Sequence, residues 1–167
     1  MTDQDPSAFD PLVLRRAFGN FPTGVTVVTA APDGEPLGMT VGSFFSVSLD
    51  PPLVGLCADK TSSSWPRIAP ANCFAVNFLA ADQADVSSRF ASRDDEKFAG
   101  VVWRPSDHTG SPLLADCIGW VDCVTEQTVE SGDHWIVIGR VVGIDVVRET
   151  DPLVFFRGGY GSFAPLT

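Results

Sequence analysis

The chain has 167 residues, with 11 Lys and Arg against 21 Asp and Glu, hence a formal net charge of −10 and a sequence pI near 4.4. That balance excludes a nonspecific nucleic-acid or anionic-membrane binder, because both partners are held by many cationic contacts. With 44% apolar or aromatic residues and only 19% charged, the length suits one domain with a real core, and any bound phosphate must be held locally.

The start, Met1-Thr2-Asp3-Gln4-Asp5-Pro6, lacks the basic and then apolar regions of a signal peptide, and no apolar run approaches a bilayer span. The reading is a cytoplasmic protein, with residues 1–9 as a mobile N-terminal tail and residues 10–163 as a single domain. Asp10 with Pro11 predicts a helix start, with Phe9, Leu12, Val13 and Ala17 on one side and Gly19 at its end. The texture then turns to β. Gly24–Ala30, Gly38–Leu49 and Leu53–Ala58 are rich in Val, Thr and Phe and are separated by Pro32-Asp33-Gly34 and Asp50-Pro51-Pro52.

Ser62-Ser63-Ser64 precedes a short predicted helix at Trp65–Ala69, capped by serine and stopped by Pro70. Cys73–Leu79 reads as a strand, Ala81–Ser92 as a helix with Asp82 and Asp85 early and Arg89 late, and a second short helix is expected to hold Phe98. Ile118–Val129 and Trp135–Val147 flank Glu130-Ser131-Gly132-Asp133 as a hairpin, with Ile136, Ile138, Val142, Ile144 and Val146 on one face. Leu153–Phe156 adds a last strand before a turn at Gly158-Gly159-Tyr160-Gly161. Successive strands without βαβ alternation favour an antiparallel barrel with helical insertions, and no G-x-G-x-x-G opens a helix after a strand.

Cys57, Cys73, Cys117 and Cys123 form no C-x-x-C pair, and His108 and His134 are far apart in sequence, so neither a metal site nor a disulfide framework is expected. Reduced cysteines acting as small hydrophobes fit better. No Ser/His/Asp order, paired-carboxylate frame or HExxH motif supports hydrolase chemistry.

The polar run Asp59-Lys60-Thr61-Ser62-Ser63-Ser64 brings hydroxyls, one ammonium and backbone N–H groups to a helix start, where a phosphate can sit. An ordinary serine-rich loop accounts for the same pattern. In Gly38–Ser48, Ser46 and Ser48 share a strand face, joined by Thr40 if the strand stays regular, and Gly42 permits close approach of a flat heterocycle. A strand with one wetted face is the competing account. His134, in Gly132-Asp133-His134, can meet a ligand or stand as an exposed bystander.

Phe21-Pro22-Thr23-Gly24-Val25-Thr26-Val27-Val28-Thr29, Gly38–Ser43, Ser46–Val54 and Lys60–Trp65 together resemble the flavin reductase family. So do Asp95-Glu96-Lys97-Phe98-Ala99-Gly100, Gly110–Leu114, Gly132-Asp133-His134 and Gly139-Arg140-Val141, in the same order over about residues 10–163. Specifically, the chain is similar to reductase components of two-component, flavin-dependent aromatic monooxygenases.

The resemblance implies a mainly β fold, the antiparallel Greek-key split β-barrel called the FMN-binding split barrel, with a few short helices and a homodimeric assembly. It implies NAD(P)H:flavin oxidoreductase activity, in which NADH or NADPH reduces FMN or FAD and the reduced flavin diffuses to a monooxygenase partner. By resemblance, Thr40, Val41, Gly42, Ser43 and Ser46 line the isoalloxazine and ribityl side. Ala58, Asp59, Lys60, Thr61, Ser62 and Ser64 form the phosphate segment. Phe98 packs near the flavin edge, and His134 with the Arg157–Tyr160 region faces the nicotinamide. Several members of that family carry a polar side chain at the position of Gly42, so a side-chain contact there is lost while backbone contacts remain. An oxidase of the pyridoxine-phosphate type that keeps its flavin, and a flavin-binding module without turnover, are the competing readings.

Overall fold

The computed structural model describes residues 9–166; of the expected tail, residues 1–8 lie outside the described residues. Helix α1 (Pro11–Phe18) begins as its sequence dictates. Asp10 Oδ1 accepts the Leu12 N–H at 2.8 Å, Pro11 occupies the first turn, and Gly19 closes the helix by donating its N–H to Arg15 O. No residue of α1 is buried.

The strands are β1 (Thr23–Gly24), β2 (Thr26–Ala30), β3 (Leu37–Val41), β4 (Phe45–Leu49), β5 (Pro52–Asp59), β6 (Cys73–Phe78), β7 (Trp103–Pro105), β8 (Pro112–Leu114), β9 (Gly119–Ser131), β10 (His134–Val146), β11 (Leu153–Phe156) and β12 (Gly159–Ser162). Two further helices, α2 (Trp65–Ile68) and α3 (Ala84–Ala91), are the insertions. All pairings are antiparallel. Seven strands run in the order β3-β2-β6-β9-β10-β5-β4, β1-β11-β12 form a second sheet, and β7-β8 a third.

That order forces the seven-stranded sheet to curl. Its two edge strands, β3 and β4, are consecutive in the chain and joined only by Gly42-Ser43-Phe44. Laid flat, the sheet would put its edges about 29 Å apart at ~4.8 Å per strand, whereas the Val41–Phe45 link spans at most about 14 Å. The sheet therefore closes on itself with a seam between β3 and the β4–β5 pair. Inside lie Val28, Met39, Leu56, Ile68, Phe74, Val76, Val121 and Val137, and a second cluster of Val27, Leu79, Phe90 and Leu153 fills the space beneath α3.

Several local expectations give way to this closure. The run Gly38–Leu49 is two strands, because the chain must cross the seam at residues 42–44, so Thr40 does not share one regular strand face with Ser46 and Ser48. Pro70 does not stop the α2 segment: a 3₁₀ turn continues over Ala69–Ala71 and ends at Asn72 with φ 53°. Helix α3 starts at Ala84 rather than Ala81, since Gln83 Oε1 accepts the Ala80 N–H and Asp82 is drawn away to Arg148. Phe98 lies in a turn, not a helix.

The β9–β10 hairpin is tighter than expected. Ser131 pairs with His134, leaving Gly132-Asp133 as a two-residue turn with Gly132 at φ 58°. Register shifts at Ile138/Gly139 and Val141/Gly143 divide β10, and Val137 and Val141 supply its core face, while Ile144 and Val146 point outward. Tyr160 belongs to β12, because the last turn sits one step earlier, at Arg157 (φ 49°) and Gly158 (φ 81°).

Candidate functional site

The seam opens into a cleft of about 450 Å³. Its floor and walls come from four places: the end of β3 with the crossing (Met39–Ser43), β5 and its extension (Cys57, Asp59, Thr61–Ser64), the end of α3 with the following loop (Phe90–Arg93, Lys97), and the hairpin tip (His134).

The crossing is fastened by Ser43, whose Oγ accepts the Cys57 N–H at 2.9 Å and donates to Cys57 O at 3.1 Å. Thr40 Oγ1 donates to Ser87 O at 2.7 Å, tying β3 to α3. Neither hydroxyl is therefore a free donor to a ligand. The backbone here is what a ligand meets, and a Cβ at Gly42 would sit 3.1 Å from Thr23 Oγ1, so a side chain there needs the threonine to shift by a few tenths of an ångström.

The 59–64 segment folds on its own side chains. Asp59 Oδ1 accepts both the Thr61 N–H and the Thr61 hydroxyl, each at 2.7 Å, and these bonds hold its carboxyl below the usual carboxylate range, with His134 and Arg15 adding in the same direction. Ser62, not Ser64, caps α2: its Oγ accepts the N–H groups of Ser64 and Trp65, each at 3.2 Å. The N–H groups expected to greet a phosphate at the helix start are thus partly spent.

The cation at this end is Lys97. It is 7% exposed, and its Nζ donates to Gly38 O (3.3 Å), Phe90 O (3.0 Å) and Ser64 Oγ (2.9 Å). Burial pushes its pKa below the ordinary lysine value. Because Ser64 Oγ accepts from Lys97, the Ser64 proton is left for a ligand, and Arg93 lines the same region. The cleft is thus polarised, with Lys97 behind Ser64 at one end and Asp59 opposite His134 at the other, and Arg93 is a second cation in its lining. His134 Nδ1 meets Asp133 Oδ1 at 2.7 Å, and that bond lowers the Asp133 pKa.

A slot of this size with one cationic, hydroxyl-rich end suits a flat ligand carrying a terminal anion. Comparison with known proteins names the ligand class. Residues 18–164 match the family model described as a flavin reductase like domain. The chain belongs to the flavin reductase family. It is 50% identical over 161 residues to a flavin reductase of Pseudomonas putida, covering 96% of this chain and 94% of that one. It is 44% identical over 158 residues to the reductase subunit HsaB of a flavin-dependent monooxygenase from Rhodococcus jostii, covering 95% and 80%. Among solved structures, the NADH:FAD oxidoreductase SgcE6 of Streptomyces globisporus, in complex with NAD and FAD fragments, superposes with a TM-score of 0.89 at 38% identity over 99% of this chain and 98% of that one. A nitrilotriacetate monooxygenase component B homologue from Mycobacterium thermoresistibile gives 0.90 at 43% identity, covering 95% and 89%.

In this flavin reductase the cleft gathers Thr40, Val41, Gly42, Ser43, Asp59, Thr61, Ser62, Ser64 and His134 from the residues expected by sequence. It does not gather the other six. Ser46 lies on exposed β4, paired with Val54. Ala58 is fully buried in the barrel core. Lys60, expected at the phosphate, is held instead by Glu130 Oε1 (2.6 Å) and Gly132 O (2.5 Å), with Trp135 beneath its ammonium. Phe98 packs edge-on against Phe90 and Trp103 behind the cleft wall.

Arg157 bonds Asn20, and the Tyr160 hydroxyl meets Ser87 Oγ of α3 at 2.9 Å, so neither residue lines the cleft. Lys97, Arg93 and Cys57 are cleft residues that sequence reasoning did not nominate, and Ser63 was named only as part of the polar run. The only signal for Lys97 was its place beside Phe98. The flavin reductase cleft holds one thiol, Cys57, whereas Cys117 and Cys123 are buried and pushed up to about 12 by desolvation.

Proposed function

We propose that this protein transfers hydride from NADH or NADPH to FMN or FAD and releases the reduced flavin to a separate flavin-dependent monooxygenase. The observation that carries the reading is the polarised seam cleft in a chain that matches flavin reductases over nearly its whole length. The residues present fit a flavin. Ser63, Ser64 and Arg93 would hold its phosphate, with the Lys97 charge behind Ser64 attracting it and the Asp59 carboxylate repelling it, and the Thr40–Ser43 backbone would run along the ring edge. When bound, the flavin supplies the hydride acceptor.

The chain's own contribution is positioning. No side chain in the cleft has to act as a nucleophile or base, which agrees with hydroxyls already spent on structure. His134 sits at the lip opposite Asp59, across the β5–β10 ladder, and its bond to Asp133 fixes the ring edge it presents. Its role is to orient the nicotinamide. His134→Ala is expected to raise the apparent KM for NADH by about three- to tenfold, the loss of one hydrogen bond, while the flavin Kd is unchanged. Unaltered NADH kinetics would remove the assignment.

A homodimer completes the reading. Leu12, Leu49, Ile144 and Val146 are 71%, 90%, 66% and 67% exposed, together with Val13, Phe18 and Phe21, and these are the apolar side chains a second copy would cover. Sedimentation equilibrium giving a monomer at micromolar concentration would contradict it. No helix among the described residues is long and apolar enough to cross a membrane, and the proposed location is the cytoplasm, in line with four free cysteines.

The deciding assay supplies NADH or NADPH with FMN or FAD, in all four pairs, and follows the nicotinamide absorbance. Flavin-dependent oxidation with at least one pair is expected, and none with any pair overturns the proposal. Tight flavin binding without oxidation would mark a storage module instead.

A further inference from the structure

A second cavity, of about 640 Å³, lies at the C-terminal end of α1 and is lined by Arg15, Arg16, Gly19, Asn20, Arg157 and Gly158. Three guanidiniums meet here in a chain of net charge −10. Among the described residues none of the three lies within 4 Å of a carboxylate, whereas Lys60, Arg140 and Arg148 each have one and Arg67 has two. Bringing like charges together is unfavourable unless an anion joins them.

Two of the arginines have a simpler use, since cations in the last turn complement the helix dipole. Arg157 does not. It comes from the other side, at the first corner of the β11–β12 turn with φ 49°, a position that Asn or Gly takes with less strain. The turn is docked onto α1 by the Arg157 N–H, which donates to Gly19 O at 3.0 Å.

The side chain of Arg157 is also aimed. Its Nε donates to Asn20 Oδ1 at 2.8 Å, and the Asn20 amide in turn donates to Arg16 O at 2.7 Å. The guanidinium lies 4.9 Å over the Phe156 ring, which leaves both Nη atoms of the fork for another acceptor. The cavity stands close to the cleft, because Phe18 and Phe21, which flank its Gly19 and Asn20, line a common groove with Gly42 and Ser43 of the crossing.

We propose that Arg15, Arg16 and Arg157 bind the diphosphate of the pyridine dinucleotide whose nicotinamide enters the cleft past His134. This rests on the hydride-transfer reading above and adds to it where the remote half of the substrate is held. The arrangement makes recognition of the dinucleotide independent of the flavin phosphate at Lys97. It also gives the acidic protein a local attraction for an anionic substrate, so the KM for NADH rises with ionic strength.

The test compares NADH with reduced nicotinamide mononucleotide, which keeps the reacting ring but lacks the diphosphate. R15Q/R16Q, two exposed substitutions, and R157Q should each raise the KM for NADH about tenfold, with the KM for the mononucleotide changed less than twofold. Titration calorimetry of ADP-ribose into flavin-free protein should show the same loss without any turnover. Unchanged NADH kinetics, an equal effect on both substrates, or loss of dimer in R15Q/R16Q would overturn the proposal. ADP-ribose binding that needs the arginines, in a protein that oxidises no NADH, would support this site while removing the reductase reading.

Discussion

Replacing Lys97 by Met is expected to weaken FMN binding by about ten- to a hundredfold, the equivalent of ~1.4–2.8 kcal/mol, while riboflavin binds almost as before. The difference between the two ligands is the phosphate alone, so their ratio isolates the cationic end of the cleft from any general loosening. Met conserves the length of the stem, which is buried with the ammonium. What it removes is the charge behind Ser64 and the bond that turns the Ser64 proton toward the ligand. It also leaves Gly38 O and Phe90 O without their Lys97 bonds, which is why riboflavin affinity and the melting temperature belong in the same experiment. Equal losses for FMN and riboflavin would show that Lys97 is only a brace.

The pH dependence of the parent protein gives an independent check. The Lys97 pKa lies below the ordinary value of 10.5 because burial disfavours the ammonium. FMN affinity should therefore fall in the alkaline range before an ordinary lysine would titrate, with riboflavin affinity flat. Stability moves the other way. Between the folded pKa and 10.5 the unfolded chain binds more protons than the folded one, so this group makes unfolding harder as pH rises through that window. Opposite slopes for FMN binding and apo stability across one pH interval would be hard to produce by any other residue here.

The largest effect on stability should come from Asn77→Ala. Asn77 is fully buried on β6, and its carboxamide is saturated: Nδ2 donates to Val27 O (3.1 Å), Thr29 Oγ1 (3.2 Å) and Pro112 O (3.4 Å), while Oδ1 accepts the Leu114 N–H at 2.8 Å. These bonds stitch the small β7–β8 sheet to the barrel, reinforced by Thr29 Oγ1 donating to Pro112 O at 2.5 Å. Alanine leaves the Leu114 N–H unpaired and a void beside it, at a cost of about 3 kcal/mol. For a chain of this length that corresponds to a fall in Tm of roughly 6–12 °C. Asn77 lines none of the cleft, so flavin affinity measured well below the transition should be retained. A Tm within 2 °C of the parent would show that water or local repacking replaces the carboxamide.

Much of the architecture was legible because local chemistry and fold agree. Asp10-Pro11 and Gly19 set the ends of α1, and the Val- and Thr-rich runs became strands. The errors at the site share one cause: they sit where contacts distant in sequence decide. Nothing near Gly42 says that the strand must cross a seam there, because the need arises from the order of seven strands. Lys60 looked like the phosphate cation until Glu130 and Gly132, some seventy residues on, claimed its ammonium. Lys97 follows Asp94-Asp95-Glu96 with nothing local to mark it, and only the packing of β3, α2 and α3 around it makes it a buried cation. Tyr160 and Arg157 were grouped by the resemblance on one side of the ligand, yet the turn sends one to α3 and the other to the end of α1.

The reciprocal bonds between Ser43 and the Cys57 backbone pin one sulfhydryl at the wall of the cleft. Cys117 and Cys123, buried and with thiols raised to about 12, are closed to alkylation at neutral pH, which leaves Cys57 and Cys73 as the half-exposed candidates. A Cys73→Ser background would thus carry a single reactive handle beside the ligand. Protection of Cys57 from iodoacetamide would then count occupied molecules directly, and a label placed there would report flavin arrival and departure in real time, without drawing on catalysis at all.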